Sequence, residues 1–468
     1  MNVCIMKGNI SFFPFEVRGA LFMLKFLTTI GAGLTIRRLQ AKSNQLFLSP
    51  HFRLRNIFFA CVIGNSKRGN IYFHIGVDWL SLPTKITLNI SRMKKIQMVD
   101  LMTQYEKIKP EVDNAILNIL KNAQYINGPE VKEFQTELEN YLGVKHVIPC
   151  ANGTDALQMA LMALGLKPGD EVITPSFTYI ATTEVMALLG LKPLFVEVDK
   201  DTFCIDPSVI EAAITPKTRA IVPVHLYGQA ANMEAIMAVA SKNNLVVVED
   251  NAQAIGSDYH FSDGKVVKTG TIGHIGCTSF FPSKNLGCYG DGGAMFTNDD
   301  ALADKLRMIA NHGQSKRYYH DVVGCNSRLD SIQAAVLRIK LRELDNYIDA
   351  RRKVADYYDN FFGAFDGVKT PVRAKDSKHV FHQYTLTLEG IDRDGLNAFL
   401  AEKDIPSMIY YPVPAHRQKM FESFGSESTP LPITDWLTER VISLPIHTEM
   451  ETEQLELICQ SVAEYIKG

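Results

Sequence analysis

The sequence lacks paired cysteines, long uncharged apolar runs and a strong net charge. Its cysteines form no CxxC pair and no spacing typical of a metal site, and they lie at positions 4, 61, 150, 204, 277, 288, 325 and 459. Scattered thiols in a chain of 468 residues favour a reducing compartment over a disulfide framework, so we predict a cytoplasmic protein. No apolar run of about 18 residues is free of charge, which argues against a membrane-spanning helix.

The small net charge hides an uneven distribution of charges along the chain. The formal net charge is −2, which gives no reason to expect a nucleic-acid partner. Residues 1–92 hold 12 Lys/Arg and 2 Asp/Glu, whereas the remainder holds 37 basic and 49 acidic residues. The first segment also carries 10 of the 25 phenylalanines. This change in composition predicts a boundary near Met93.

Residues 1–92 are predicted to be a basic N-terminal extension, either poorly ordered or the product of a misassigned start codon. A complete domain opens after them, at Met93-Lys94-Lys95-Ile96. The alternative is a membrane-surface segment, because residues 19–36 are apolar apart from Lys25. That segment lacks sustained periodicity and a small-residue cleavage site, so we favour the extension.

From residue 93 onward, strand-like and helical patterns alternate. Short apolar runs predict strands at 146–149, 172–174, 193–197, 219–224 and 245–249. Helical patterns lie before and between them, at 105–122, 130–142, 154–164, 180–189, 207–213 and 232–242. This alternation predicts a mostly parallel sheet with helices on both faces. Ligands on such sheets usually bind at the carboxyl ends of the strands.

The pattern becomes mainly helical after about residue 298. A helix is predicted at 300–311, and a long amphipathic stretch at 329–362 reads as a helix that links two domains. Further strands are predicted at 383–388 and 442–445, and further helices at 393–403, 434–441 and 451–466. We therefore predict a large α/β domain with an N-terminal helical arm over 93–335, and the linking helix with a small C-terminal α/β domain over 336–468.

The stretch SFFPSKNLGCYGDGGA, residues 279–294, carries the strongest candidate for chemistry. It places Lys284 between a Pro-Ser turn and a glycine-rich run that can come close to a bound group. A lysine among Phe280, Phe281 and Pro282 is expected to be desolvated. Desolvation lowers the pKa of an amine from about 10.4 and frees the nucleophile that a Schiff base requires. A solvated surface lysine is the alternative on this stretch alone.

Two predicted strand-end loops carry groups suited to a phosphorylated aromatic ligand. Residues 152–155 open a helix, where Gly153, the Thr154 hydroxyl and free N–H groups make an anion site suited to phosphate. An ordinary helix cap is the alternative. In the loop 175–179, Tyr179 is suited to stacking on a flat heterocycle, and a packed core aromatic is the alternative.

An acid stands at the end of a predicted apolar strand. Asp250 closes the run Val246-Val247-Val248-Glu249, and a buried acid is strongly disfavoured without a cationic partner such as a protonated pyridine nitrogen. An exposed loop carboxylate is the alternative. Together with Ser279 and Lys284, these loops supply phosphate donors, a stacking ring, an anionic partner and a Schiff-base lysine. Pyridoxal phosphate (PLP) requires these groups.

The chain from about Met93 to its end closely resembles the PLP-dependent sugar aminotransferases of the DegT/DnrJ/EryC1/StrS family. The resemblance rests on five motifs in order, CANGTDALQMAL, TPSFTYIATTE, VVVEDNAQAIG, TSFFPSKNLGCYGDGGA and GCNSRLDSIQAA. It implies the PLP-dependent transferase fold type I, with a mostly parallel sheet in the large domain and a smaller C-terminal α/β domain. It also implies a homodimer with active sites shared at the subunit interface.

The resemblance implies a role for each matching residue. Lys284 is implied as the catalytic lysine that forms the Schiff base, and Asp250 as the partner of the pyridine nitrogen. Further cofactor contacts are implied for the stacking Tyr179, for Gln253 beside the ring hydroxyl, and for the phosphate ligands Gly153, Thr154, Ser279 and, from the partner chain, Asn326. Substrate contacts are implied for Arg328, Tyr410 and Tyr411. No metal is implied.

The implied reaction moves an amino group from an amino acid, L-glutamate, to a keto nucleotide-sugar for cell-surface polysaccharide biosynthesis. Related enzymes that aminate 3-keto sugars often carry HYPxPxH, whereas this chain has tyrosine at the first position, in the segment 410–416. A uronate carboxylate would lose a cationic partner at Tyr410, so we favour a neutral 3-keto-6-deoxyhexose over 3-oxo-glucuronate or a 4-keto sugar. A noncatalytic regulatory protein of the same fold is the alternative from another class, and the intact Asp250 and Lys284 argue against it.

Overall fold

The structure is a computed structural model that describes residues 94–468 and, within the first 92 residues, the backbone of seven short strands. These strands are β1 (Cys4–Ile5), β2 (Ile10–Val17), β3 (Ala20–Leu27), β4 (Thr35–Ile36), β5 (Phe59–Asn65), β6 (Ile71–Val77) and β7 (Lys85–Ile90). They pair antiparallel as β1 with β4, β2 with β3, and β5-β6-β7. Most of residues 1–92 lie outside the described residues, so their assignment as a basic N-terminal extension stays a prediction.

The backbone contacts divide the chain into the units Met1–Arg92 and Met93–Gly468. The second unit opens with two helices, α1 (Leu101–Asn122) and α2 (Pro129–Leu142). Helix α1 begins one turn before its predicted start, because Asp100 accepts a hydrogen bond from the Thr103 N–H at 2.9 Å and caps the helix. No helix in the described part of the chain is long and apolar enough to cross a bilayer.

A seven-stranded sheet forms the centre of the second unit. Its strands are β8 (His146–Cys150), β9 (Glu171–Pro175), β10 (Lys192–Val196), β11 (Thr218–Ile221), β12 (Val246–Asp250), β15 (Ile275–Ser279) and β16 (Gly293–Thr297). Their order is β10-β9-β11-β12-β15-β16-β8, and only β16 runs antiparallel to its neighbours. The prediction of a mostly parallel sheet is confirmed. A separate hairpin joins β13 (Asp258–His260) and β14 (Val266–Lys268).

Helices cover both faces of this sheet. They are α3 (Gly153–Ala163), α4 (Ala181–Leu188), α5 (Pro207–Ala213), α6 (Met233–Lys242) and α7 (Asp300–Ala310). Successive strand residues point to opposite faces, so Val172 packs in the core beneath α3 and α7 while Ile173 packs with α5 and α6. Burial on both faces explains why the strands read as continuous apolar runs.

Two predictions of strands need correction. Strand β11 ends at Ile221 instead of 224, because Pro223 has no N–H to continue the ladder. Strand β15 has no predicted counterpart, since its sequence IGCTS contains only one large apolar residue. Its small residues suit a crowded position: a Cβ on Gly276 would lie 1.9 Å from the carbonyl oxygen of Gly270.

The predicted long helix at 329–362 is two helices, α8 (Ser331–Arg342) and α9 (Leu344–Phe362). They pack on different cores: Val336 of α8 contacts the α1 core, whereas Tyr358 of α9 lies in the C-terminal core. The break at Glu343 therefore follows from a change of packing partner that no proline or glycine marks.

An exposed hairpin of β17 (Gln314–Lys316) and β18 (Tyr319–His320) lies before these two helices in the chain.

A three-stranded antiparallel sheet lies at the centre of the C-terminal region. Its order is β19 (Val368–Lys369), β20 (Tyr384–Leu388) and β21 (Val441–Leu444). The remaining helices are α10 (Arg393–Glu402), α11 (Pro432–Thr438) and α12 (Thr452–Lys467). The division into domains at residue 335 stays a prediction, since the contacts group Met93–Gly468 as one unit.

Candidate active site

Lys284 lies in the loop between β15 and β16, at the edge where the parallel strands end. Its side chain is half-buried, and its backbone N–H donates to the Phe281 carbonyl at 2.8 Å. Burial lowers the pKa of Lys284 to about 8, against the opposing effect of the negative charge of Asp250. Of the predicted aromatic neighbours, Phe280 is fully buried while Phe281 is 53% exposed. A substantial neutral fraction near pH 8 makes the amine a nucleophile.

Asp250 is the last residue of β12 and is buried, with 5% of its surface exposed. Its Oδ2 accepts a hydrogen bond from the Thr182 hydroxyl at 2.7 Å, and its Oδ1 accepts one from the Ala252 N–H at 3.1 Å. The alternative of an exposed loop carboxylate is therefore wrong. Asp250 pairs with Cys277 of the parallel neighbour β15, whose carboxyl end leads into the Lys284 loop, so both residues lie at the same edge of the sheet.

The start of α3 and the end of β15 form a close contact around Gly153. Asn152 caps the helix by accepting from the Asp155 N–H at 2.8 Å. A Cβ on Gly153 would lie 2.7 Å from the Cβ of Ser279, so only glycine fits there. The start of α3 therefore lies directly against Ser279, and the first N–H groups of a helix are a favourable place for an anion.

Gln253 joins three loops around the site. Its Oε1 accepts from the Tyr227 N–H at 2.7 Å, and its Nε2 donates to the Tyr411 hydroxyl at 3.0 Å. Tyr411 lies beside Tyr179, with ring centroids 6.0 Å apart. Tyr179 is 56% exposed, so the alternative of a packed core aromatic is wrong for this residue; the buried aromatic of that loop is Phe177. The ring of Tyr179 remains available for stacking.

The C-terminal segment 410–416, which contains Tyr410 and Tyr411, is fixed to the loop after β9. The Ser176 hydroxyl and the Nδ1 of buried His416 are 2.7 Å apart, and the Ala415 N–H donates to the Ser176 carbonyl at 2.9 Å. This contact joins residues 240 positions apart in the chain, so the sequence alone did not reveal it.

Asn326 and Arg328 lie just before α8, Asn326 exposed and Arg328 half-buried. Ser327 between them is buried and accepts from the Ala151 N–H at 3.0 Å, next to the start of α3. The described contacts bring neither Asn326 nor Arg328 into hydrogen-bonding contact with Asp250 or Lys284. A role in the site of a partner chain stays a prediction for Asn326.

Two buried histidines near the site differ in their environments. Both ring nitrogens of His225 are satisfied: its Nε2 donates to Glu249 at 2.8 Å and its Nδ1 accepts from the Ala231 N–H at 3.1 Å. His382 was missed. Its Nδ1 is buried without a partner among the described residues, and burial, with the charges of Lys284 and Arg351, lowers its pKa well below the usual value.

Comparison with known proteins identifies the family of this chain. The DegT/DnrJ/EryC1/StrS aminotransferase family matches residues 106–463. The UDP-2-acetamido-2-deoxy-3-oxo-D-glucuronate aminotransferase of Pseudomonas aeruginosa is 46% identical, over 78% of this chain and 99% of that protein. A pleiotropic regulatory protein of Geobacillus stearothermophilus is 46% identical, over 80% and 99%. The dTDP-3-amino-3,4,6-trideoxy-alpha-D-glucose transaminase of Streptomyces venezuelae is 40% identical, over 79% and 96%.

Solved structures show the same fold. The ntda protein of Bacillus subtilis, solved with its bound cofactor PMP, superposes with a TM-score of 0.74 at 29% identity, over 81% of this chain and 87% of that one. The family match spans more than half of the chain, and the relatives are covered almost completely. This chain therefore belongs to the DegT/DnrJ/EryC1/StrS aminotransferase family.

Proposed function

We propose that this protein is a PLP-dependent aminotransferase that moves an amino group from an amino acid to a keto nucleotide-sugar. One observation carries the proposal: the buried carboxylate of Asp250 and the Lys284 loop lie side by side at the carboxyl ends of the parallel strands β12 and β15. A nucleophilic amine and a fixed anion in one site are the two groups that hold opposite sides of a pyridine cofactor.

The residues of this edge fit PLP. The contact at Gly153 leaves no room for a side chain and presents helix N–H groups beside Ser279, as a phosphate requires. Tyr179 offers an exposed ring for stacking, and Gln253 lies one hydrogen bond from Tyr411. When bound, PLP supplies an electron sink and carries the amino group between the two substrates.

The protein's own groups hold the cofactor and move protons. Lys284 holds the cofactor through its amine and, once released, accepts and returns a proton at Nζ. Asp250 keeps a proton on the ring nitrogen. Burial raises the pKa of Tyr411 above its ordinary value, so its hydroxyl stays protonated and available for hydrogen bonding.

The substrate we propose is a sugar nucleotide with a keto group at carbon 3. Two of the relatives above are named for chemistry at that carbon, one on a 3-oxo-glucuronate and one on a 3-amino deoxyhexose. Tyr410 offers a phenol where a uronate needs a cation, so we favour a neutral 3-keto-6-deoxyhexose, with 3-oxo-glucuronate and a 4-keto sugar as alternatives. L-glutamate is the proposed amino donor, and cell-surface polysaccharide biosynthesis the proposed pathway.

We propose that two copies of the chain form a homodimer and share their active sites. Large apolar side chains are exposed on the loop after α1, on the β17–β18 hairpin and just after this hairpin, at Tyr125 (45%), Ile126 (51%), Tyr318 (77%), Tyr319 (62%) and Val323 (84%). Exposed apolar patches of this kind mark protein interfaces. Asn326 follows the same hairpin, so a second copy seated there brings Asn326 toward its partner's site. The protein is proposed to be cytoplasmic, since the described cysteines are free thiols.

A regulatory protein without catalysis is the alternative, and it is not favoured: one relative is named a pleiotropic regulatory protein, but the other relatives above are named as sugar aminotransferases. The two candidates differ in one property. Only an enzyme converts the amino donor and the keto sugar into their products, in equal amounts.

The test is an assay of purified protein with PLP, L-glutamate and a set of keto nucleotide-sugars. Mass spectrometry of the sugar product and measurement of 2-oxoglutarate should show equal amounts of both for a 3-keto substrate, and neither for the Lys284→Ala variant. Bound PLP without turnover of any keto sugar would favour the regulatory candidate. Amination of 3-oxo-glucuronate in preference to a 6-deoxyhexose would correct our reading of Tyr410.

A further inference from the structure

The carboxylate of Asp250 is held by a threonine that no motif of the sequence singled out. Thr182, in the first turn of α4, is 1% exposed and donates its hydroxyl proton to Oδ2 at 2.7 Å. The Ala252 N–H donates to Oδ1 at 3.1 Å. Each carboxylate oxygen thus has one fixed donor. The carboxyl group cannot turn about its Cβ–Cγ bond without breaking both contacts.

A second threonine continues this contact away from the carboxylate. The hydroxyl oxygens of Thr178 and Thr182 are 3.1 Å apart, and both residues are buried. Thr182 has one hydroxyl proton, and it is used in the hydrogen bond to the carboxylate, which can only accept. Thr178 must therefore be the donor in the hydrogen bond between the two threonines. The chain of donors therefore runs from Thr178 to Thr182 to Asp250. Hydrogen bonds in such a chain polarise and strengthen one another.

The neighbouring residue shows that this orientation is specific to Thr182. Thr183 is equally buried, but its hydroxyl donates to the Ile180 carbonyl at 3.0 Å, which is the usual local bond of a helical threonine. Threonine side chains are stiff about χ1, so each hydroxyl is held where the structure places it. The two adjacent threonines thus provide a test residue and a matched control.

We propose that Thr182, oriented by Thr178, is a positioning residue that fixes the Asp250 carboxylate for its contact with the ring nitrogen of the cofactor. This inference rests on the proposed function. Each carboxylate oxygen retains a free lone pair after the bonds to Thr182 and Ala252. Those lone pairs are the only acceptors that Asp250 can offer the ring nitrogen, and Thr182 sets their direction.

The experiment compares Thr182→Val, which removes the hydroxyl at nearly equal volume, with Thr182→Ser, which keeps it, and with the control Thr183→Val. We expect kcat of Thr182→Val to fall about 10- to 100-fold with KM for both substrates changed less than about 3-fold. Titration of the cofactor-free chain with PLP should show about 5- to 20-fold weaker binding. Thr182→Ser should stay within about 3-fold of the wild type in both measurements, and Thr183→Val within about 2-fold.

Thr178→Val should cause a smaller loss of kcat than Thr182→Val, because it removes only the outer donor. The proposal is overturned if Thr182→Val behaves like Thr183→Val, or if Thr182→Ser loses as much activity as Thr182→Val, since either result assigns Thr182 a packing role. A wild-type chain that binds no PLP and transfers no amino group overturns the proposed function and this inference together. A wild-type chain that works, with Thr182→Val indistinguishable from it, overturns the inference alone.

Discussion

At the scale of single residues, the environment of Lys284 sets the pH dependence of cofactor capture. Burial lowers its pKa from the ordinary value near 10.5 to about 8, so the amine is an unreactive ammonium below this pH and a neutral nucleophile above it. The rate at which the cofactor-free chain captures PLP should therefore rise with pH through about 8 and then level off. Stopped-flow absorbance between pH 6.5 and 9.5 measures this. A rate still rising steeply at the upper limit would identify a solvated lysine.

Asp250 provides a second prediction at this scale. Asp250→Asn keeps the size of the side chain but removes the charge that the ring nitrogen requires. Losing one member of a buried charge pair costs about 3–5 kcal/mol, so amino transfer should slow by roughly two to four decades. The readout is the single-turnover rate with L-glutamate, with circular dichroism as the check of folding. A variant with more than about a tenth of wild-type activity would remove Asp250 from its proposed role.

Individual site residues differ in how far the sequence alone could predict them. Lys284 and Asp250 were predicted because a lysine in a glycine-rich loop and an acid after an apolar strand are conspicuous within their own segments. Thr182 was not, since its contact with Asp250 joins residues 68 positions apart and threonine is ordinary in a helix. His416 ends the segment 410–416, and its contact with Ser176 depends on tertiary packing that the sequence does not show.

At the scale of elements, the contact between α3 and β15 explains why the cofactor edge requires a glycine. A Cβ on Gly153 would lie 2.7 Å from the Cβ of Ser279, closer than side-chain atoms approach. Gly153→Ala should push the helix start away from Ser279 and weaken PLP binding by at least about 10-fold. Absorbance titration measures the dissociation constant. Gly165→Ala, at a glycine with no atom within 4 Å but a positive φ, controls for backbone strain and should leave PLP binding unchanged.

The elements themselves were largely predictable, and the exceptions have physical causes. Strand β12 was predicted to within one residue because it is buried on both faces and rich in valine. Strand β15 has no clear sequence signal because its five residues include Gly276, where Gly270 leaves no room for a Cβ, and only one large apolar residue. The break between α8 and α9 reflects a change of packing partner, which leaves no local signal at Glu343.

At the scale of the whole molecule, sharing of active sites can be tested by mixing two inactive variants. Lys284→Ala removes the amine in one subunit, and Asn326→Asp places a negative charge where the partner's phosphate is proposed to bind. Mixed dimers then contain one site with both native residues, so a 1:1 mixture that has exchanged subunits should recover about a quarter of wild-type activity. No recovery, with exchange shown by native mass spectrometry, would contradict shared sites.

The exposed hairpin gives a test of assembly itself. Val323 is 84% exposed at the end of this region, and an aspartate there would carry charge into an apolar interface. Val323→Asp should shift the protein from dimer toward monomer in sedimentation velocity. Val266→Asp, at a residue 51% exposed on the β13–β14 hairpin, is the matched control and should not change the sedimentation. A monomeric wild type would contradict the proposed homodimer.

The most direct test that Lys284 holds the cofactor is borohydride reduction of the PLP-loaded protein followed by peptide mass spectrometry. Lys340 is the natural competitor, because burial lowers its pKa to about 8 as well, but it lies 1% exposed on α8, over the ring of Tyr289. We predict one reduced PLP adduct per chain, on Lys284. No adduct, or an adduct on Lys340 or any other lysine, would contradict it.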